Sequence, residues 1–269
     1  MASKYDQRSY GFGDSSQNSN QWGNFKTQDD FVPNFGFTKS SIRNGFIQKV
    51  FSIVSAQLTF TVAMIALFQF HEGALSFAYR NTWMLNVAMF STLGLSLLMG
   101  FSPSIRRTAP LNLIVLASYT VCQGFLVALI SSFYEVEEVL YAVGLTAAIV
   151  FGLATYASTT KEDFTMKGGM FASALMALML GSLVSIFYRG EFFSFMLSVA
   201  GAAIFSMYII YDLQLIMGDK SLSISPEEYI FASLNLYVDI MRIFLELLKI
   251  LRYLNENSNQ NQREKKRRN

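Results

Sequence analysis

Hydrophobic positions in this chain are gathered into long blocks. Val50–Phe70, Trp83–Phe101, Thr108–Tyr134, Val139–Thr160, Gly168–Tyr188 and Phe192–Tyr211 contain no charged residue. Each runs about 19 to 27 residues, and a helix needs about 20 apolar residues, at ~1.5 Å each, to cross ~30 Å of hydrocarbon. Inside the blocks the apolar residues fall on all sides, whereas the strands of a membrane barrel alternate over about 10 residues. The pattern predicts an all-α polytopic membrane protein. Tyr229–Leu254 is long enough to be a seventh membrane helix, but it carries Asp239, Arg242, Glu246 and Lys249.

Composition agrees with the pattern. The 269 residues are 52% hydrophobic and 15% charged, against about 25% charge in a soluble domain. Residues 1–40, with "YGFGDSSQNSNQWGNF", are rich in Gly, Ser, Asn, Gln and aromatics and read as a disordered cytosolic tail. Residues 41–254 form the membrane domain and 255–269 a basic polar C-terminal tail. The N-terminal tail lacks the apolar core of a cleaved signal peptide, so the first membrane helix is expected to direct insertion. A single cysteine, Cys122, excludes an intrachain disulfide and a CxxC site. His71 stands alone where the first block ends and reads as an interfacial residue, since metal sites need several ligands.

Lysine and arginine favour the cytosolic side of membrane segments. Lys4, Arg8, Lys26, Lys39, Arg43 and Lys49 precede the first block, Arg106 and Arg107 follow the second, and Lys161 and Lys167 follow the fourth. The alternate connections hold Arg80, no cation, and Arg189; the middle one carries Glu135, Glu137 and Glu138. This bias places the N-terminus in the cytosol and gives six crossings. A seventh crossing would carry the basic "REKKRRN" to the lumen, and a re-entrant last segment would keep it cytosolic, where it could contact anionic lipid. The sidedness of this tail stays open.

Asp239, Arg242, Glu246 and Lys249 are spaced three, four and three apart, which puts them on one helical stripe. Lipid offers a charge nothing to pair with, so the last helix is expected to be enclosed by the other six or to line a wet cavity. Intrahelical pairing of Arg242 with Asp239 or Glu246 would account for part of the stripe. One further acid, Asp212, sits near the end of the sixth block. If that helix ends near Gly218 and the next begins near Tyr229, Asp212 and Asp239 lie about 9 Å and 15 Å inside. "SISPEE" marks the later start, with Ser225 as N-cap, Pro226 first, and Glu227 and Glu228 at the positive end of the dipole. Two carboxylates in a poorly solvated site tend to share one proton. Such a pair makes a pH-sensitive latch, closed on the shared proton and strained open when both groups are charged. Its oxygens also suit transient Ca²⁺ contact.

"YIIYDLQLIMG" and "SISPEEYIFASLNLYVDIMRIFLELL", with "RRTAPLNLIVL", "LISSFYE" and "TKEDFTMKGGMF" upstream, resemble the transmembrane Bax inhibitor motif family, particularly its Lifeguard branch. The similarity covers residues 40–254. The resemblance implies seven transmembrane helices with the last one central, residence in the endoplasmic reticulum or Golgi, a pH-sensitive Ca²⁺ leak and suppression of cell death. In bacterial relatives two aspartates on the sixth and seventh helices form the pH latch, and by motif these fall on Asp212 and Asp239. Those relatives also use a basic group of the second helix, and none lies between Trp83 and Phe101.

The reading is therefore a calcium leak channel gated by Asp212 and Asp239 and tuned by Arg242 and Glu246. It needs no cofactor beyond calcium as the permeant ion. The lipid bilayer, calcium ions and apoptosis-regulating membrane proteins are its expected partners, with no nucleic acid. Gln57, Asn86 and Gln123 are expected to make interhelical hydrogen bonds worth about 1 kcal/mol. A non-transporting regulator that acts by protein binding, and a proton-coupled calcium exchanger, are the alternatives. Enzyme chemistry is not expected: an intramembrane aspartyl protease would need a Gly-x-Gly-Asp context, and Asp239 follows "LYV". Receptor switch motifs are also missing from the sequence.

Overall fold

The computed structural model describes residues 35–268, so most of the tail expected over residues 1–40 lies outside the described residues. Every regular element among the described residues is helical: α1 (Phe35–Phe70), α2 (Glu72–Arg80), α3 (Trp83–Phe101), α4 (Pro103–Arg107), α5 (Leu111–Ser131), α6 (Val136–Thr159), α7 (Gly168–Phe187), α8 (Glu191–Met217) and α9 (Tyr229–Arg268). Six segments are long and apolar enough to cross a membrane: Lys39–Phe70, Trp83–Phe101, Leu111–Ser131, Val136–Thr159, Thr165–Phe187 and Glu191–Met217. They match the six uncharged blocks. Their outward faces carry bare aromatic rings, with Phe101 83%, Phe151 77% and Phe187 89% exposed. Water would penalise such a surface; hydrocarbon does not.

Local chemistry explains the breaks between helices. His71 was expected at an interface, and it caps α2: its Nδ1 accepts the Ala74 N–H at 3.1 Å. Glu135 and Glu138 form a reciprocal capping box at the start of α6, which satisfies two orphan amides. Ser225 takes the cap position before the Pro226–Glu228 turn, but its side chain makes no cap bond. Glu228 instead pairs with Arg107 at 2.7 Å and Arg106 at 3.4 Å, tying the start of α9 to α4.

α9 is one continuous helix through Arg268, so the polar C-terminal segment extends it. At ~1.5 Å per residue its 40 residues span about 60 Å. It packs along α8 and also against α5 and α6. It meets α1 as well, where the Ser233 hydroxyl reaches the Val50 carbonyl at 3.5 Å. Ile230, Tyr237, Ile243 and Leu248 are fully buried along it. Gly201 of α8 lets the Glu246 side chain lie close, since a Cβ there would come within 3.1 Å of it.

The end of α8 is held from two sides. Gly218 closes the helix in the left-handed conformation, φ 69°. On one side Arg43 of α1 donates to the carbonyls of Ile216 at 3.2 Å and Ile224 at 2.9 Å, which places a cation against the negative end of the helix. On the other, the α6–α7 connection docks through Asp163, whose carboxylate accepts from the Ser221 and Thr165 amides. Hydrogen bonds from Ser221 and Thr165 hold this carboxyl well below the usual carboxylate range. A depressed folded value means that the anchoring is present above about pH 3.9 and is lost only as pH falls through the lower folded value.

A Cβ at Gly218 would meet the Arg43 guanidinium at 2.5 Å, and left-handed backbone costs a branched residue about 1–2 kcal/mol. Gly218→Val is therefore expected to lower the thermal midpoint of detergent-purified protein by several degrees. An unchanged midpoint would contradict this account of the α8 terminus.

Candidate functional site

Two aspartates from neighbouring helices lie inside this bundle. Asp212 belongs to the last turns of α8 and Asp239 lies ten residues into α9, and they are only 5% and 8% exposed. Their carboxyl groups lie near enough on the adjoining faces of the two helices to act on each other. A carboxylate has no proton to donate, so a hydrogen bond between the two would need one of them to carry a proton. Oδ2 of Asp239 has no hydrogen-bond partner among the described residues.

The remaining charges of the α9 stripe are arranged differently from the intrahelical pairing of Arg242 that the spacing allows. Among the described residues Arg242 forms an ion pair with neither Asp239 nor Glu246. Glu246 pairs with Lys249 at 2.9 Å, one turn further on. The reason is geometric: Glu246 turns toward Gly201 on α8, where its side chain is 14% exposed, and Arg242 is exposed.

Of the uncharged polar residues, Gln57 donates from Nε2 to Thr120 Oγ1 at 2.8 Å, bridging α1 and α5. Asn86 is exposed and Gln123 half-buried. Neither makes a side-chain hydrogen bond across the bundle among the described residues, so the expected interhelical bond forms only at Gln57. Cys122 is a free thiol, half-buried on α5.

Three residues near the pair escape sequence inspection. Thr61 of α1 donates to its own helix at Gln57 O, so at 2.8 Å it accepts the Tyr237 hydroxyl. Tyr237 in turn meets Tyr119 of α5 edge-on, ring centroids 6.3 Å apart. The cross-link joins α1, α5 and α9 two residues before Asp239. Ordinary Thr and Tyr residues in apolar blocks give no signal of it; only the packing of three helices does. Further on, Asn255 Nδ2 donates to Glu138 at 2.9 Å, fastening the α9 extension to the start of α6.

Among the described residues no three acidic, histidine or cysteine side chains converge on one point. Ca²⁺ takes six to eight oxygen ligands, more than a carboxyl pair alone supplies. The fold and this locus define an integral membrane protein of helical type with a carboxyl pair held out of water between its last two long helices. The family described as "Inhibitor of apoptosis-promoting Bax1" matches residues 43–257. Protein lifeguard 4 of Mus musculus is 35% identical over 233 residues, 85% of this chain and 94% of that protein. The Golgi anti-apoptotic protein of Vaccinia virus (strain Lister) is 34% identical over the same shares. Protein lifeguard 3 of Homo sapiens is 34% identical over 78% of this chain and 69% of that protein. The chain belongs to the Bax inhibitor-1 family.

The paired geometry separates two substitutions at Asp212. Asparagine can donate to Asp239 in place of the acid, so Asp212→Asn should unfold within a few degrees of the wild type. Leucine leaves Asp239 buried without that partner, which costs about 1–3 kcal/mol, so Asp212→Leu should unfold clearly earlier. Equal midpoints for the two variants in the same detergent would contradict the contact.

Proposed function

We propose that this protein is a pH-sensitive calcium leak channel of endoplasmic reticulum or Golgi membranes, with a cytoprotective role. In this reading α9 crosses the membrane as the seventh helix and the other six spans surround it, with the N-terminus cytosolic. The observation that carries the reading is the contact of Asp212 with Asp239 inside the bundle. Ionisable groups at membrane depth are costly and mark ion or proton paths. With one shared proton the pair holds α8 and α9 together. When that proton leaves, two adjacent carboxylates repel across a poorly screened gap, the helices part, and four carboxylate oxygens face the opening. Store calcium then passes down its gradient, with Arg242 and Glu246 setting the field around the pair.

The names of the relatives favour one other reading. A Golgi anti-apoptotic protein and two lifeguard proteins are also what a regulator acting on cell-death membrane proteins without transport would resemble. The two differ in what the aspartates do. A proton-coupled exchanger, the third reading, would require a proton counterflux.

Purified protein in liposomes loaded with a Ca²⁺ dye separates them. The channel predicts Ca²⁺ flux that rises as external and internal pH are raised together, and a flat pH response in Asp212→Asn with Asp239→Asn. Wild-type flux no faster than protein-free vesicles at any pH, with cytoprotection retained by the double variant in cells, would establish the regulator instead. Stoichiometric proton counterflux would establish the exchanger.

A further inference from the structure

The carboxyl pair lies close to the end of the bundle where α8 stops and α9 begins, and something closes that end. Gln214, two residues beyond Asp212, is fully buried although its side chain is polar. It is spent on the α6–α7 connection: its Oε1 accepts the Phe164 amide at 2.8 Å, and its Nε2 donates to the Glu162 carbonyl at 2.9 Å. These two bonds hold one side chain to two backbone groups of a single segment, as a neighbouring strand would.

Phe164, fixed in this way, stacks on Phe171 with ring centroids 6.4 Å apart. Phe171 meets Tyr208 at 5.8 Å and Tyr211 at 5.7 Å. Both tyrosines belong to the turns of α8 that carry Asp212. Four rings thus run in contact from the connection to the turns of α8 that carry Asp212. The far edge of the connection is pinned to the α8–α9 turn, where Lys220 donates to the Thr160 carbonyl at 2.9 Å and the Leu222 amide to Thr165 Oγ1 at 3.2 Å.

We propose that the 160–165 connection and the ring layer beneath it form a plug over the ion path, and that Gln214 is the positioning residue that holds it. This rests on the channel reading and deepens it. The plug and the carboxyl latch are separate closures in series. The latch opens by loss of a proton between α8 and α9, whereas the plug opens by release of hydrogen bonds from a neutral amide. Apolar constrictions of this kind hold ions back by excluding their water. A path that is open at the latch still conducts slowly while the plug is docked, as a leak does.

The test compares wild type, Gln214→Leu and Asp163→Ala, each full-length in liposomes. Asp163 lies outside the membrane spans, so its variant keeps the experiment decisive if Gln214→Leu folds poorly. Hydrogen exchange of the 161–166 amides should quicken by about tenfold in Gln214→Leu, as expected for two lost bonds, and less in Asp163→Ala. Ca²⁺ efflux should rise in the same order, while the pH at half-maximal flux stays put. Faster exchange with efflux equal to the wild type would overturn the plug and leave the channel intact. Unchanged exchange would overturn the role of Gln214. No efflux from any of the three would overturn the channel reading and the plug with it.

Discussion

A carboxyl group inside a hydrocarbon-embedded bundle must find a partner, and this requirement shapes the last two long helices. Water is the usual partner and is excluded there, so a buried acid needs a cation, a donor or another acid that shares a proton. Asp212 and Asp239 meet this need with each other. Arg242, the nearest cation in sequence, stays exposed, and Glu246 takes Lys249. In the proposed reading, α8 and α9 are joined there by a bond that depends on a single proton.

Around that bond the fold builds supports that do not depend on a proton. The Tyr237–Thr61 hydrogen bond fixes α9 against α1. Arg43 and Gly218 shape the terminus of α8, and Glu228 pairs the start of α9 to Arg106 and Arg107. Asn255 ties the far side of α9 to Glu138. Each support joins segments distant in sequence at the ends of the spans or along α1 and α5; in the proposed reading the α8–α9 contact near Asp212 is then the place where a change of charge is felt. The family membership and the pair belong to the same residues, since the family match runs from 43 to 257 and includes both aspartates.

Much of this was legible in the sequence, for physical reasons that can be named. Six uncharged blocks gave six spans because hydrophobic length is set by bilayer thickness. The end of α8 at Gly218 and the start of α9 at Tyr229 were legible because glycine favours a left-handed cap and proline favours a first turn. Asp212 and Asp239 stood out because acids are rare in apolar runs. Tertiary choices were not legible. Spacing allowed Arg242 to pair with Asp239 or Glu246, and only the packing against Gly201 shows why Glu246 turns elsewhere. Thr61, Tyr237 and Gln214 carry no local signal, since each owes its role to a group dozens of residues away. The short α2 and α4 also went unforeseen, being too brief to set up a period, and α2 begins at a histidine that acts as a cap.

The claim beneath all of this is that the two aspartates hold one proton between them. Isotope-edited infrared spectroscopy, with ¹³C in the aspartate side chains, reports it without relying on transport. The account predicts one protonated carboxylic acid band per chain at neutral pH that shifts with the label and vanishes in either single Asn variant. A spectrum showing only ionised aspartates at that pH, or a protonated band that survives both substitutions, would contradict it.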